Sequence, residues 1–498
     1  MTKTKTLLGL TALTMLAACA PVGDDGATGA VAQAAVTSAL YDGSWGGNNE
    51  GGGIALTQLD ADPRPEVVFL RADAPSGGNV GYYRVGWNVD LQTLPGSNET
   101  AYLPTSWGPS TSIPTAIGDR TSGAGVAMGD IDGNGRPEMV FVYVDDPSGE
   151  DKTYYRIGWN VSASGQVSSW STPRAYTGGV HGHHTAGADA SLRDLNNDGK
   201  LDLVVATVDN PDGENRISFS VGWGLSTAGW VTGGYASSSS VKSGWVGGST
   251  SDLGIDLADM DGNGLLDIVV SWVDNPDGND ASYYQVGYDL VYPIGVRAWG
   301  PIRRFDNALG PTTQATGIAA RDFDGDGSLD LMNFHLDATA TGNVAHLSVL
   351  DDRSDRSLGF RFQSGQQCLD RGANQGVNGR SVSRDTCDPT LREQQWVVAR
   401  NDNGYYNLIS KLSGRCVQFN QYTDETAGFN PVFEWSCNGS ASQEFSFVLP
   451  TSEGHQRLKN RASNRCVDQF TNAYLGYTVG MSTCSGSSAT QVLELLPR

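Results

Sequence analysis

The chain has 498 residues, room for about two to four domains at roughly 150 residues each. Glycine fills 64 positions, well above the usual ~7%, while hydrophobic residues make up 39% and charged residues 18%. This excludes a disordered chain and a long-helix protein, and points to many short strands joined by turns. The formal net charge of −22 excludes non-specific nucleic-acid binding, which needs Lys and Arg to neutralise phosphates. The acid is unevenly placed. Residues 1–356 hold 20 basic and 43 acidic side chains, net −23, whereas residues 357–498 hold 13 and 12, net +1.

The N-terminus reads as a targeting segment. Lys3 and Lys5 precede the apolar run Leu7 to Ala18, twelve residues long and too short for the ~20 that cross a bilayer. The run ends Leu16-Ala17-Ala18-Cys19. This resembles the lipobox of bacterial lipoproteins, which implies a signal peptide over 1–18, acylation of Cys19 and anchoring to the outer membrane; an ordinary secretory signal is the alternative. The protein is then exported, and its only membrane contact is the lipid. Residues 19–38, rich in Ala, Gly, Thr and Val, read as a flexible tether.

Internal repeats come next. Asp130-Ile-Asp132-Gly-Asn134-Gly-Arg136-Pro-Glu138 recurs as Asp194-Leu-Asn196-Asn-Asp198-Gly-Lys200-Leu-Asp202, as Asp259-Met-Asp261-Gly-Asn263-Gly-Leu265-Leu-Asp267, and as Asp322-Phe-Asp324-Gly-Asp326-Gly-Ser328-Leu-Asp330. A worn copy, Gln58-Leu-Asp60-Ala-Asp62-Pro-Arg64-Pro-Glu66, precedes them. The spacings of 72, 64, 65 and 63 residues fit one multi-strand blade each. Runs such as Glu138-Met-Val-Phe-Val-Tyr-Val-Asp145 read as buried strands. Turns such as Asp209-Asn-Pro-Asp-Gly213 and alternating strands such as Thr153 to Trp159 follow. Small sheets repeated radially make a propeller.

The loop places oxygen side chains at positions 1, 3, 5 and 9, glycine at 6, and a backbone carbonyl at 7 (Arg136, Lys200, Leu265, Ser328). An oxygen-only shell suits Ca²⁺. Solvated Asp-rich turns are the alternative. An EF-hand needs a bidentate Glu at position 12, where the third of the intact loops has Val270 inside a strand. Gln58 and Pro63 leave weak or no metal in the worn copy. Four Ca²⁺ ions are therefore expected. Residues 39–356 resemble the FG-GAP/VCBS repeats of integrin-like β-propellers, which implies calcium-loaded blades. Five repeats suggest five blades, with the stretch Tyr41 to Trp45 supplying the outer strand of the fifth. His181-Gly-His183-His184 near Asp189 could hold a transition metal but reads as a surface loop. The recurrent aromatics Tyr82-Tyr83, Trp87, Tyr154-Tyr155, Trp159, Trp223, Tyr283-Tyr284 and Tyr288 read as inter-blade packing, with sugar stacking as the alternative.

Residues 357–498 repeat threefold. Cys368-Leu-Asp370, Cys416-Val-Gln418 and Cys466-Val-Asp468 each lead to a second cysteine (Cys387, Cys437, Cys484) and a Gln-x-Trp-like triplet beginning at Gln394, Gln443 or Gln491. Separations of 19, 21 and 18 residues suggest one bridge inside each repeat. This segment resembles the ricin B-type lectin β-trefoil, which implies sugar sites built from the Asp, an aromatic near the second Cys and a Gln. Carried over, these are Asp370 with Gln394, Trp435, and Asp468 with Tyr474 or Tyr477. Asp385, Gln418 and Ser482 break the pattern, so no repeat is complete.

The expected fold is all-β, a propeller followed by a disulfide-bonded trefoil. The expected function is a surface lectin-like or adhesion lipoprotein whose partners are glycans, and not an enzyme. The alternatives are a propeller glycoside hydrolase with the trefoil as its carbohydrate-binding module, and a protein adhesion scaffold. Such a hydrolase needs two facing carboxylates about 5–9 Å apart. Glu99, Asp119, Asp189, Asp252 and Asp256 are among the acids left unassigned.

Overall fold

The computed structural model describes residues 38–40 and 49–497, except for the connecting segments 74–77, 94–99, 115–116, 119–120, 146–150, 179–184, 210–215, 238–249, 251, 262–263, 275–279, 292–294, 301, 306–312, 324–327, 340–341, 352–356, 373–377, 389–390, 402–404, 420–429, 449–454 and 475–476. Cys19, the signal segment, Tyr41 to Trp45 and His181 to His184 lie outside the described residues.

Five antiparallel sheets follow one another along the chain. Each begins with an inner strand: Asn49–Thr57, Thr121–Gly129, Thr185–Arg193, Asp252–Ala258 and Thr313–Arg321. Each inner strand lies against that of the next blade, and the fifth against the first, so the ring closes. The second strands, Glu66–Asp73, Glu138–Asp145, Asp202–Asp209, Asp267–Asp274 and Asp330–Thr339, are the β-branched runs. Three of them are buried at every position, because each blade is covered on both faces by its neighbours. Blade two shows how this works. Met139, Phe141 and Tyr143 pack in one core with Val68 and Tyr83 of blade one. The alternating Val140, Val142 and Val144 pack with Leu203 and Val205 of blade three. Tyr83, Tyr155 and Tyr284 are buried in such cores, as the packing reading expects.

Closure of the ring differs from expectation. The outer strand of the fifth blade is Ser38–Leu40, paired with Leu347, His346 and Ala345, and lies just before the stretch that the repeat pattern suggested. A short strand pairing through backbone alone needs no motif, so Ser38 joins the blade and not the tether.

Strands from Ser357–Phe362 to Leu493–Pro497 form the trefoil. Its core gathers Leu358, Phe360, Phe362, Trp396, Phe445 and Leu493, including the last residue of each Gln-x-Trp-like triplet. Bridges 368–387, 416–437 and 466–484 close within the repeats, as their spacing suggests. The trefoil docks on blade four through Gln456, whose amide donates to the Ile302 carbonyl at 3.0 Å and accepts from its N–H at 3.2 Å. Among the described residues there is no α-helix, and no helix is long and apolar enough to cross a membrane.

Candidate functional site

Each Asp-rich loop joins an inner strand to a second strand. Asp130 wraps its loop by accepting from the N–H groups of Gly133 at 2.8 Å, Asn134 at 3.1 Å and Gly135 at 2.7 Å. Asp132 accepts from Asn134, and the Asn134 side chain accepts from the Arg136 N–H. Asp194, Asn196 and Asp198 repeat this pattern around Lys200. Asp259 accepts from Gly264, in the loop of Asp261, Leu265 and Asp267. Asn263, Asp324 and Asp326 lie outside the described residues, while Asp322, Ser328 and Asp330 border them. Ligand oxygens of Asp130, Asp132 and Glu138 fall within 4.8 Å of one another, as do those of Asp259, Asp261 and Asp267.

The ninth position has a structural task that its spacing did not reveal. One oxygen of Glu138 accepts from the Ile131 N–H at 2.7 Å, and the other from the Asn160 N–H at 3.1 Å beyond the third strand. Asp202 and Asp267 do the same. Burial pushes the Glu138 and Asp202 carboxyls up. It takes Asp267 to about 6, with the charges of Asp261 and Asp259 adding to the shift. In the worn copy, the Gln58 amide donates to the carbonyls of Asp60, Asp62 and Arg64. There the Arg64 guanidinium grips Asp62 at 2.8 Å and Asp90 at 2.9 Å. Protein donors thus fill this loop.

On the axis the chain brings together three of the unassigned acids; Glu99 and Asp119 lie outside the described residues. Asp189 accepts from Val126 N–H of blade two at 3.1 Å and Ile255 N–H of blade four at 2.9 Å. Asp252 accepts from Gly52 of blade one and Thr316 of blade five, both at 3.3 Å. Asp256 accepts from the Ser191 hydroxyl at 3.1 Å and the Ala320 N–H at 3.0 Å. These carboxyls tie the inner strands across blades. Gly125 leaves room for Asp189, since a Cβ there would sit 2.1 Å from the carboxyl oxygen. Burial pushes Asp189 and Asp252 well above the usual carboxylate range. Asp256 alone of the three lines a central funnel of about 310 Å³, with Ser191, Arg193, Arg321 and apolar neighbours such as Val126 and Ile255. That volume is at the small end for ligand pockets. The Arg193 guanidinium lies 3.6 Å from Asp256.

In the trefoil each repeat is organised by its buried glutamine. The Gln394 amide donates to Asp370 at 3.0 Å and to the Thr386 carbonyl, while its oxygen accepts from Asp388. Gln443 holds Gln418 at 2.9 Å, and Gln491 holds Asp468 at 3.1 Å, in the same way. The structure therefore unites Asp370 with Gln394 and adds Gln443 and Gln491, which the triplet motif contained. Ser482, at the position where the resemblance implied an aromatic, donates to Asp468. Asp468 Oδ1 is buried without a hydrogen-bond partner among the described residues. Trp435 is 39% exposed. The Tyr474 and Tyr477 backbones pair at a hairpin end, and their side chains lie outside the described residues.

Residues 349–430 and 392–474 match the model of the ricin-type β-trefoil lectin domain-like family. No curated protein matches the chain. Among solved structures, a ricin B-like lectin from Macrolepiota procera in complex with lactose is 13% identical, covering 30% of this chain and 99% of its own, with a TM-score of 0.24. An exo-β-1,3-galactanase from Clostridium thermocellum is 12% identical over 91% of this chain and 96% of its own (TM-score 0.32). A GH43 β-1,3-galactosidase is 9% identical over 92% of this chain and 94% of its own (TM-score 0.37). The expectation that the chain is not an enzyme is withdrawn, since these two neighbours are by name glycoside hydrolases.

Proposed function

We propose that the protein is directed at glycans: the trefoil binds carbohydrate, and the propeller works as a glycoside hydrolase on the polymer so held. The observation that carries the binding reading is Asp468. Ser482 and Gln491 fix one oxygen of its carboxylate, and the other, buried and without a donor among the described residues, is the acceptor that a sugar hydroxyl has to reach. Trp435 offers a face on which the C–H side of a sugar ring can stack. The family match over the same segment supports this reading.

The funnel supports the hydrolase reading by offering a concave site on the propeller axis. Glycoside hydrolysis runs between two carboxyl groups about 5–9.5 Å apart. Asp256 is the funnel carboxylate among the described lining residues, so the reading stands or falls there. Reducing-sugar release from a panel of polysaccharides, β-1,3-galactan among them, should drop at least about 100-fold in Asp256→Asn, with an unchanged melt as the folding control. A wild-type protein that binds but releases nothing from any polymer would remove the hydrolase and leave the lectin.

Calcium in the four intact loops belongs to the same proposal. It would offset the crowded carboxylates, above all at Asp267. Export as a lipoprotein anchored through Cys19 to the outer membrane rests on the N-terminal sequence alone.

A further inference from the structure

Three side chains of the fifth blade have no part in the loops, the axis or the trefoil. His335 and Asp337 lie two residues apart on its second strand, and His346 stands opposite His335 on its third. The two imidazoles stack with centroids 4.6 Å apart and planes 6° apart. The Thr313 hydroxyl donates to Asp337 Oδ1 at 2.6 Å. Asp337 Oδ2 lies 3.8 Å from His335 Nε2 and 3.6 Å from His346 Nε2. These separations are too long for hydrogen bonds. They are close to the spacing of about 3.3 Å between ligand atoms set tetrahedrally around an ion at about 2.0–2.1 Å. One ligand atom from each of the three residues lies within 4.8 Å of those of the other two.

We propose that His335 Nε2, His346 Nε2 and Asp337 Oδ2 bind one divalent transition ion of the zinc class. Two imidazoles and one carboxylate suit a borderline ion, and this sets the site apart from the oxygen-only loops. Thr313 orients the carboxylate as outer-shell partners do. His346 is 17% exposed on its side chain and gives the ion a way in. The ion would cross-link the second and third strands at the blade where the ring closes, since His346 pairs with Ala39 of the closing strand.

The test is zinc titration of the chelator-stripped full-length protein in excess Ca²⁺, read by calorimetry and metal analysis. Wild type should take up one tightly held zinc per chain. His346→Ala should weaken it at least about 100-fold, beyond the 10–100-fold typical of outer-shell changes. Changing His181, His183 and His184 to Ala together should leave it unaltered. Zinc-edge X-ray absorption of the wild type, which does not depend on any variant folding, should show two imidazole nitrogens. No zinc uptake, no imidazole scattering, or loss that follows His181 to His184 instead would overturn the proposal.

Discussion

The propeller and the trefoil reach the same end by opposite means. The propeller carries the surplus acid and has no disulfide among its described residues; its blades cohere because each second strand feeds two cores at once. The trefoil is nearly neutral, has one shared core, and closes each repeat with a disulfide and a buried glutamine. The difference teaches where each is vulnerable: the propeller at blade contacts and loop electrostatics, the trefoil at its cross-links.

The largest effect should come from the blade contact. Phe141→Ala empties a fully buried site between blades one and two and should cost about 3–5 kcal/mol, read by denaturant melting of the propeller transition. Replacing Cys416 and Cys437 by Ser opens a bridge with a sequence separation of 21 and should cost the trefoil about 3 kcal/mol. Calorimetry should show the propeller transition unmoved by that change. Chelation should do the reverse, lowering the propeller transition by about 3 kcal/mol for each loop filled at a hundredfold excess over its Kd. Gln491→Leu strips the third repeat of the amide's contacts to Asp468, Ser482 and the Thr483 carbonyl and of the bond it accepts from the Ser485 N–H, and should cost about 1–3 kcal/mol while weakening glycan binding.

The smallest effect is a pH slope. Asp189 and Asp252 ionise in the unfolded chain near the ordinary carboxylate value, but stay protonated in the fold to a higher pH. The folded state then binds more protons, so their contribution is full below the unfolded pKa and declines as pH rises toward the folded one. Melting of Asp252→Asn across that range should show a shallower decline than wild type.

Much of this was legible in the sequence, and what was not has a physical reason. The five loops, the blade strands and the cysteine pairs repeat in register, and a repeat announces itself. The closing strand Ser38–Leu40 pairs through backbone alone and carries no motif. The axial carboxyls belong to single blades, and their meaning depends on contacts across the ring, as where Gly125 yields space to Asp189. The His335–Asp337–His346 group is assembled by the register of a hairpin, which residue spacing does not fix. In the trefoil the motif located Asp370, Gln394 and Asp468. It did not reveal that Gln394 and Gln491 already occupy one oxygen of each carboxylate.

The central claim is that the trefoil recognises carbohydrate through its Asp–Gln geometry. The most direct measurement is a glycan array with the purified protein, wild type beside Asp468→Ala and Trp435→Ala. The account predicts binding to a defined set of glycans by the wild type, and its loss in at least the Asp468 variant while that variant is still folded at the assay temperature. Silence of the wild type across the array, or binding indifferent to both changes, would contradict it.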